Sequence, residues 1–119
     1  MERLAVDERP WGTMETLARG EGYLVKLIRV RPGHRLSLQV HRGRDERWTV
    51  VEGTATVTIG LARYALGAGC SVSIPAGTRH RLAAPPTGEG SGGEGGGGEG
   101  GVAVVEVQTG PLISESDIE

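Results

Sequence analysis

At 119 residues and 12.5 kDa the chain is long enough to bury one hydrophobic core and too short for two, so a single domain over residues 1–119 is expected. Its net charge of -2, with 13 basic residues spread along the sequence rather than gathered into a run, argues against nucleic acid as the main partner. No apolar run approaches the roughly 18 residues of a membrane span, and the N-terminus MERLAVDERP carries acids where a signal peptide would be apolar, which makes the cytoplasm the expected compartment.

Taken in chain order, Met1 to Glu8 is expected to be a flexible or edge segment, and Arg9-Pro10-Trp11-Gly12 an ordered turn anchored by burial of the indole. Beyond it, turn signals separate short runs rich in Val, Ile and Thr. These predict strands at Tyr23–Val30, Leu36–His41, Trp48–Glu52, Ala55–Ile59, Ala62–Leu66, Ser71–Ile74, His80–Ala83 and Val102–Gln108. Glycines at 33, 53, 60, 67, 69 and 77 fall between them, where tight turns are needed. An all-β chain of this kind predicts a jelly-roll barrel rather than a flat sheet, because closing or doubling a sheet protects its edges. Residues 88–101, GEGSGGEGGGGEGG, offer no apolar side chain to bury and predict a flexible loop inserted between two strands. The loop lacks the lysine and following helix of a phosphate-cradling loop. The acidic tail, residues 114–119, is expected to fray. Cys70 has no partner for an internal disulfide, and its apolar neighbours predict a small buried side chain.

The chemistry is concentrated in two spaced motifs, Gly33-x5-Gln39-x-His41-x4-Glu46-x6-Gly53 and Gly69-x5-Pro75-x-Gly77-x2-His80. If Leu36 to His41 is a strand, Gln39 and His41 share one face while Leu36, Leu38 and Val40 take the other. Glu46 and His80 add ligands from other strand ends, so that two imidazoles, a carboxylate and an amide oxygen describe a mononuclear metal site. Taken singly, His34 reads as a solvated loop residue and Trp11 and Trp48 as core residues.

The two motifs resemble the paired signatures of the cupin superfamily, with Gln39 where the commonest pattern has histidine. Reading outward, Arg9-Pro-Trp-Gly, Val25-Lys26, Pro32-Gly33, Leu36-Ser37-Leu38-Gln39-Val40-His41, Arg44-x-Glu46-x-Trp48, Ile74-Pro75-Ala76-Gly77-Thr78-Arg79-His80-Arg81-Leu82 and Glu106-Val107-Gln108-Thr109-Gly110 follow in an order similar to the cupin-type (type II) mannose-6-phosphate isomerase domain. The resemblance covers about residues 9 to 118. It implies a double-stranded β-helix, one divalent metal on Gln39, His41, Glu46 and His80, and interconversion of mannose 6-phosphate with fructose 6-phosphate. It also marks Lys26, Ser37, Arg44, Arg81, Glu106 and Gln108 as site residues, and implies a homodimer. The chain departs from the family's usual pattern at Arg42-Gly43, Arg47 and Ala84, in the glycine-rich insertion, and in lacking the basic, tyrosine-bearing segment that often follows the acidic tail.

Such an isomerisation passes through an enediol and needs a base near C1 and C2 and an electrophile for the developing oxyanion, which a divalent metal supplies. Zinc is the expected ion, with manganese, cobalt, nickel and iron compatible with the same nitrogen and oxygen donors. Glu46 and Glu106 are the candidate bases, and Lys26 is a further catalytic candidate that the resemblance implies. Arg44, Arg81 and Lys26 are candidates for the sugar's phosphate, and Ser37 and Gln108 for its remaining polar groups. Two rival readings share the fold: a nonhaem iron oxygenase, which also uses two histidines and a carboxylate, and a module that binds a sugar or sugar nucleotide without turnover. Guanylyltransferase chemistry is not expected of these residues, which show no nucleotide-binding domain.

Overall fold

The computed structural model describes residues 5–86, 101–111 and 113. Among them are nine strands and no helix: β1 (Ala5–Arg9), β2 (Gly12–Gly20), β3 (Tyr23–Val30), β4 (Asp45–Glu52), β5 (Thr54–Ile59), β6 (Ala62–Gly67), β7 (Ser71–Ile74), β8 (His80–Ala83) and β9 (Val102–Thr109). They form two antiparallel sheets, a larger one in the order β1-β2-β3-β9-β4-β7 and a smaller one in the order β6-β5-β8. Alternating residues of both sheets meet in one apolar cluster that includes Ile28, Val30, Val50, Val57, Ile74, Leu82, Val102 and Val104. Each such side chain contributes about 1.5–3 kcal/mol on leaving water.

The register of the three central strands sorts polar from apolar. Lys26, Glu106 and Trp48 lie in one row across β3, β9 and β4, and Leu24, Gln108 and Glu46 in the next. On the other side of the first row, Ile28, Val104 and Val50 form an apolar row on the same face. Period-two alternation thus carries a buried polar patch at one end of the inner face and core at the other.

Seven of the eight expected strands are present, and the exception is instructive. Leu36–His41 and the residue before it make only two isolated bridges to β8, Arg35 with Ala83 and Gln39 with His80. The residue numbers sum to 118 in the first and 119 in the second, so one extra residue is accommodated between them, as in a β-bulge. That residue breaks the expected division of faces: Leu36 lines the same pocket as Ser37 and Gln39, and Val40 and His41 are both buried.

Strand β2 was not expected, because GTMETLARG is rich in helix-favouring residues and poor in β-branched ones; pairing with β3 over its whole length overrides that local preference. Residues 5–8, expected to be flexible or at an edge, belong to β1, an exposed edge strand held by its backbone ladder to β2. Residues 1–4, most of the glycine-rich stretch at 88–100 and the acidic tail at 114–119 lie outside the described residues. Cys70 is exposed, not buried as expected. It ends the turn before β7, where its amide donates to the Gly67 carbonyl and its carbonyl accepts from Val50 N, an arrangement that leaves the thiol outside the core.

Among the turn glycines between strands, Gly53 has little freedom to change. It joins β4 to β5 with φ of 78°, and a Cβ there would collide with the Gly101 carbonyl oxygen at the start of β9. Gly60 also has positive φ, but a Cβ there meets no atom within 4 Å. Gly60→Ala is therefore expected to cost about 1–2 kcal/mol from backbone strain alone. Gly53→Ala is expected to cost at least ~1 kcal/mol more, as steric overlap adds to strain. Urea midpoints of the two variants check this ordering.

Candidate metal centre

The polar patch becomes a site because the two motifs are tied together by backbone bonds. Gly77 N donates to the His41 carbonyl at 2.7 Å, and Ala76 N donates to Asp45 Oδ1 at 2.8 Å, so the Pro75–Gly77 turn holds the loop that carries His41 against the start of β4. Gln39 and His80 exchange both backbone hydrogen bonds, at 3.0 and 2.9 Å. His41, Glu46 and His80 are thereby brought to one point, each offering one ligand atom, with these atoms within 4.8 Å of one another. Their residues are only 2, 3 and 4% exposed, respectively.

The protonation of the imidazoles follows from their partners. His80 Nδ1 lies 2.9 Å from the Thr78 carbonyl, which can only accept, so Nδ1 carries the hydrogen and Nε2 presents its lone pair. Arg44 Nη2 lies 2.9 Å from His41 Nε2; a guanidinium can only donate, so His41 Nε2 is also an acceptor. Both nitrogens lie near Glu46, with His41 Nε2 at 3.3 Å from Oε2 and His80 Nε2 at 3.6 Å from Oε1. Arg44 donates to Glu46 Oε2 through Nε at 2.9 Å and Nη2 at 2.8 Å, while Glu46 Oε1 has no hydrogen-bond partner among the described residues. Acceptor atoms that converge in a buried place, one of them orphaned, fit a divalent cation, and a histidine whose far nitrogen is pinned to a carbonyl is the usual outer support of a metal ligand.

Burial pushes Glu46 up to about 8, and the neighbouring Glu106 adds to the rise against the opposing pull of Arg44. Burial, joined by repulsion from His41, also lowers His80 despite its bond to Thr78. For Glu106, burial opposes ionisation, but stabilisation from Glu46, Gln108, Trp48 and Arg44 outweighs it and holds the group below the ordinary carboxylate value. The bonds behind this are short: Trp48 Nε1 donates to Glu106 Oε2 at 2.9 Å and Gln108 Nε2 donates to Oε1 at 2.7 Å. Without metal, Glu46 thus holds a proton where Glu106 is charged.

The other residues singled out from sequence surround this centre. Lys26, Ser37, Gln39, Arg44, Arg81, Glu106 and Gln108 all line one pocket with His80. Gln39 Nε2 donates to Ser37 Oγ at 3.2 Å, leaving the amide oxygen out of that bond. Arg81 Nε and Gln108 Oε1 are buried without a hydrogen-bond partner among the described residues. The pocket also includes Arg9 and Met14, which sequence reasoning did not place there. Trp48 is buried as expected of a core residue, yet it also orients Glu106, a role its position in the row beside Glu106 could not announce from sequence. His34 is exposed in the turn after Gly33, and Trp11 packs against the core.

Comparison with known proteins places these observations in context. A family described as mannose-6-phosphate isomerase C-terminal matches residues 4–119. Alginate biosynthesis protein AlgA of Pseudomonas aeruginosa is 40% identical over 111 residues, which cover 93% of this chain and 21% of that protein. A mannose-1-phosphate guanylyltransferase of Salmonella muenchen is 36% identical over 110 residues, covering 92% of this chain and 21% of its own. The chain thus spans about a fifth of the length of these relatives. Among solved structures, an RmlC-like cupin from Shewanella frigidimarina superposes with a TM-score of 0.72 at 16% identity, covering 95% of this chain and 86% of that one. The fold is that of a cupin, as the double-stranded β-helix expectation held.

The raised Glu46 has a consequence for the metal-free protein. A carboxyl whose folded pKa exceeds its unfolded value stabilises the fold at low pH and loses that contribution as pH rises to about 8. His80, lowered on folding, acts in the opposite sense only below its ordinary value of 6.5. Between pH 6.5 and 8 the metal-free protein is therefore expected to lose stability, by roughly 2 kcal/mol at most. Glu46→Gln is expected to flatten that slope, and urea melts at stepped pH in the presence of a chelator check it.

Proposed function

The chain belongs to the mannose-6-phosphate isomerase C-terminal family, and from that premise we propose that it is a metal-dependent aldose-ketose isomerase interconverting mannose 6-phosphate and fructose 6-phosphate. The observation that carries the reading is the juxtaposition of the His41, Glu46 and His80 cluster with an ionised, hydrogen-bonded Glu106 and with cationic side chains in one pocket. His41, Glu46 and His80, with the Gln39 amide, would hold the ion, for which zinc is our choice. When bound it supplies Lewis-acid polarisation of the sugar's oxygens.

The protein's own residues account for the remainder. Glu106 is the base of choice: it is charged, and the bonds from Trp48 and Gln108 fix its orientation. Lys26, opposite Glu106 in the sheet register and buried, brings positive charge to the place where oxyanion character develops. Gln108 Oε1 is an acceptor ready for a sugar hydroxyl, and Arg81 Nε a donor ready for phosphate. Ser37 and Arg44 complete the polar lining of the substrate side. We place the reaction in the cytoplasm, where sugar phosphates are made and consumed, and expect a homodimer.

The test is a coupled assay for fructose 6-phosphate formed from mannose 6-phosphate by metal-stripped protein, with zinc, manganese, cobalt or nickel restored. Turnover is expected to require metal and to vanish in His41→Ala. Glu106→Gln is expected to lower kcat by about 10²–10⁴-fold while metal content is retained. Stoichiometric metal uptake without product for any ion would sink the isomerase reading and leave a sugar-binding module.

A further inference from the structure

We propose that Arg44 and the divalent metal are alternative occupants of one cation position, so that metal loading releases Arg44 from His41 and Glu46 and makes its guanidinium available to the phosphate of the substrate. The inference rests on the metal reading above and adds a coupling between the ion and the anion that follows it.

The argument begins with lone pairs. A neutral imidazole nitrogen that carries no hydrogen has one in-plane lone pair, and His41 Nε2 spends it on Arg44 Nη2 at 2.9 Å. A metal bound to His41 through Nε2 needs the same lone pair. Glu46 Oε2 is engaged in the same way, by Nε at 2.9 Å and Nη2 at 2.8 Å of the same guanidinium. The other carboxylate oxygen, Glu46 Oε1, has no hydrogen-bond partner among the described residues and lies 3.6 Å from His80 Nε2. In the geometry seen here the guanidinium serves as an internal cation, and a full ligand set requires it to leave.

Where it goes follows from charge. Arg44 lines the pocket together with Arg9, Lys26 and Arg81. A guanidinium released among three other cations repels them until an anion enters, and a phosphomonoester offers bidentate acceptors for it. Metal and phosphate should therefore bind with positive coupling, and by linkage each strengthens the other by the same factor. Arg44 is on this account a positioning residue: it keeps the ligands arranged in the metal-free protein and adds to anion binding in the loaded one.

The experiment follows the arginine directly. In metal-free wild type, Arg44 Nε–H is expected to be a slowly exchanging resonance in a ¹⁵N correlation spectrum, assigned by its loss in Arg44→Met, and zinc titration is expected to abolish that protection. Binding of inorganic phosphate, followed by calorimetry, is expected to tighten roughly tenfold with zinc in wild type, about 1.4 kcal/mol of coupling, and to show no such gain in a folded Arg44→Met protein. Zinc uptake with Arg44 protection unchanged overturns the exchange of cations while leaving the metal reading intact. Failure of wild type to take up zinc or any other divalent ion overturns both. Equal phosphate coupling in wild type and Arg44→Met overturns the role of the released guanidinium.

Discussion

The structure turns on a concentration of electron pairs. Two imidazole nitrogens and a carboxylate face one another inside a barrel whose other inner surface is apolar, and such a group of acceptors cannot remain buried without positive charge among them. In the metal-free chain two devices meet that demand, a guanidinium against Oε2 of Glu46 and a proton retained by the same carboxyl to about pH 8. On our proposal both are exchanged for a metal ion, since a ligating carboxylate gives up its proton and a displaced arginine stays charged. The cost of assembling the acceptors is thus sustained in the fold and relieved when a cation arrives.

The demand can be met only if the acceptors are placed accurately, and the sheet does that. A one-residue slip of β9 would replace Glu106 and Gln108 by Val105 and Val107 on the inner face and send both polar groups outward. What prevents the slip is the apolar row beyond, where Val104 lies between Ile28 and Val50 and would itself be expelled. Core packing at one end of the strands therefore holds the register of the chemistry at the other. Contacts between the motifs do the same for the loops: the Gly77 bond to the His41 carbonyl and the Asp45 bond to Ala76 N link segments more than thirty residues apart.

Much of this was legible in the sequence because it is periodic or spaced. Alternation gave seven strands, and the offsets among His41, Glu46 and His80 pointed to their convergence without a structure. What was not legible depends on partners distant in sequence. The extra residue between Arg35 and Gln39 is invisible until β8 is laid beside it, and it moves Leu36 to the pocket against the period-two expectation. Strand β2 takes its conformation from β3 rather than from its own residues. Arg44 reads from sequence as one more phosphate ligand, whereas its bonds to His41 and Glu46 put it within the centre itself. Arg9 reaches the pocket from the end of an edge strand, a position that no local pattern signals.

A cupin with two histidines and a carboxylate does not by its donors choose between an oxygenase and an isomerase, so the choice rests on what surrounds them. Arg9, Lys26, Arg44 and Arg81 bring four positive charges to a pocket whose carboxylate among the described residues is Glu106, with Glu46 behind it in the centre. With Glu46 protonated, four positive charges face one negative before an ion is counted, and a divalent ion with Glu46 ionised makes the excess four. A neutral organic substrate would leave that excess inside a largely buried cleft, where it is costly. A dianionic phosphate on a polyhydroxy carbon chain would remove half of it and supply hydroxyls for Gln108 Oε1 and Ser37, so the charge balance supports the proposed sugar phosphate where the ligand set alone is silent.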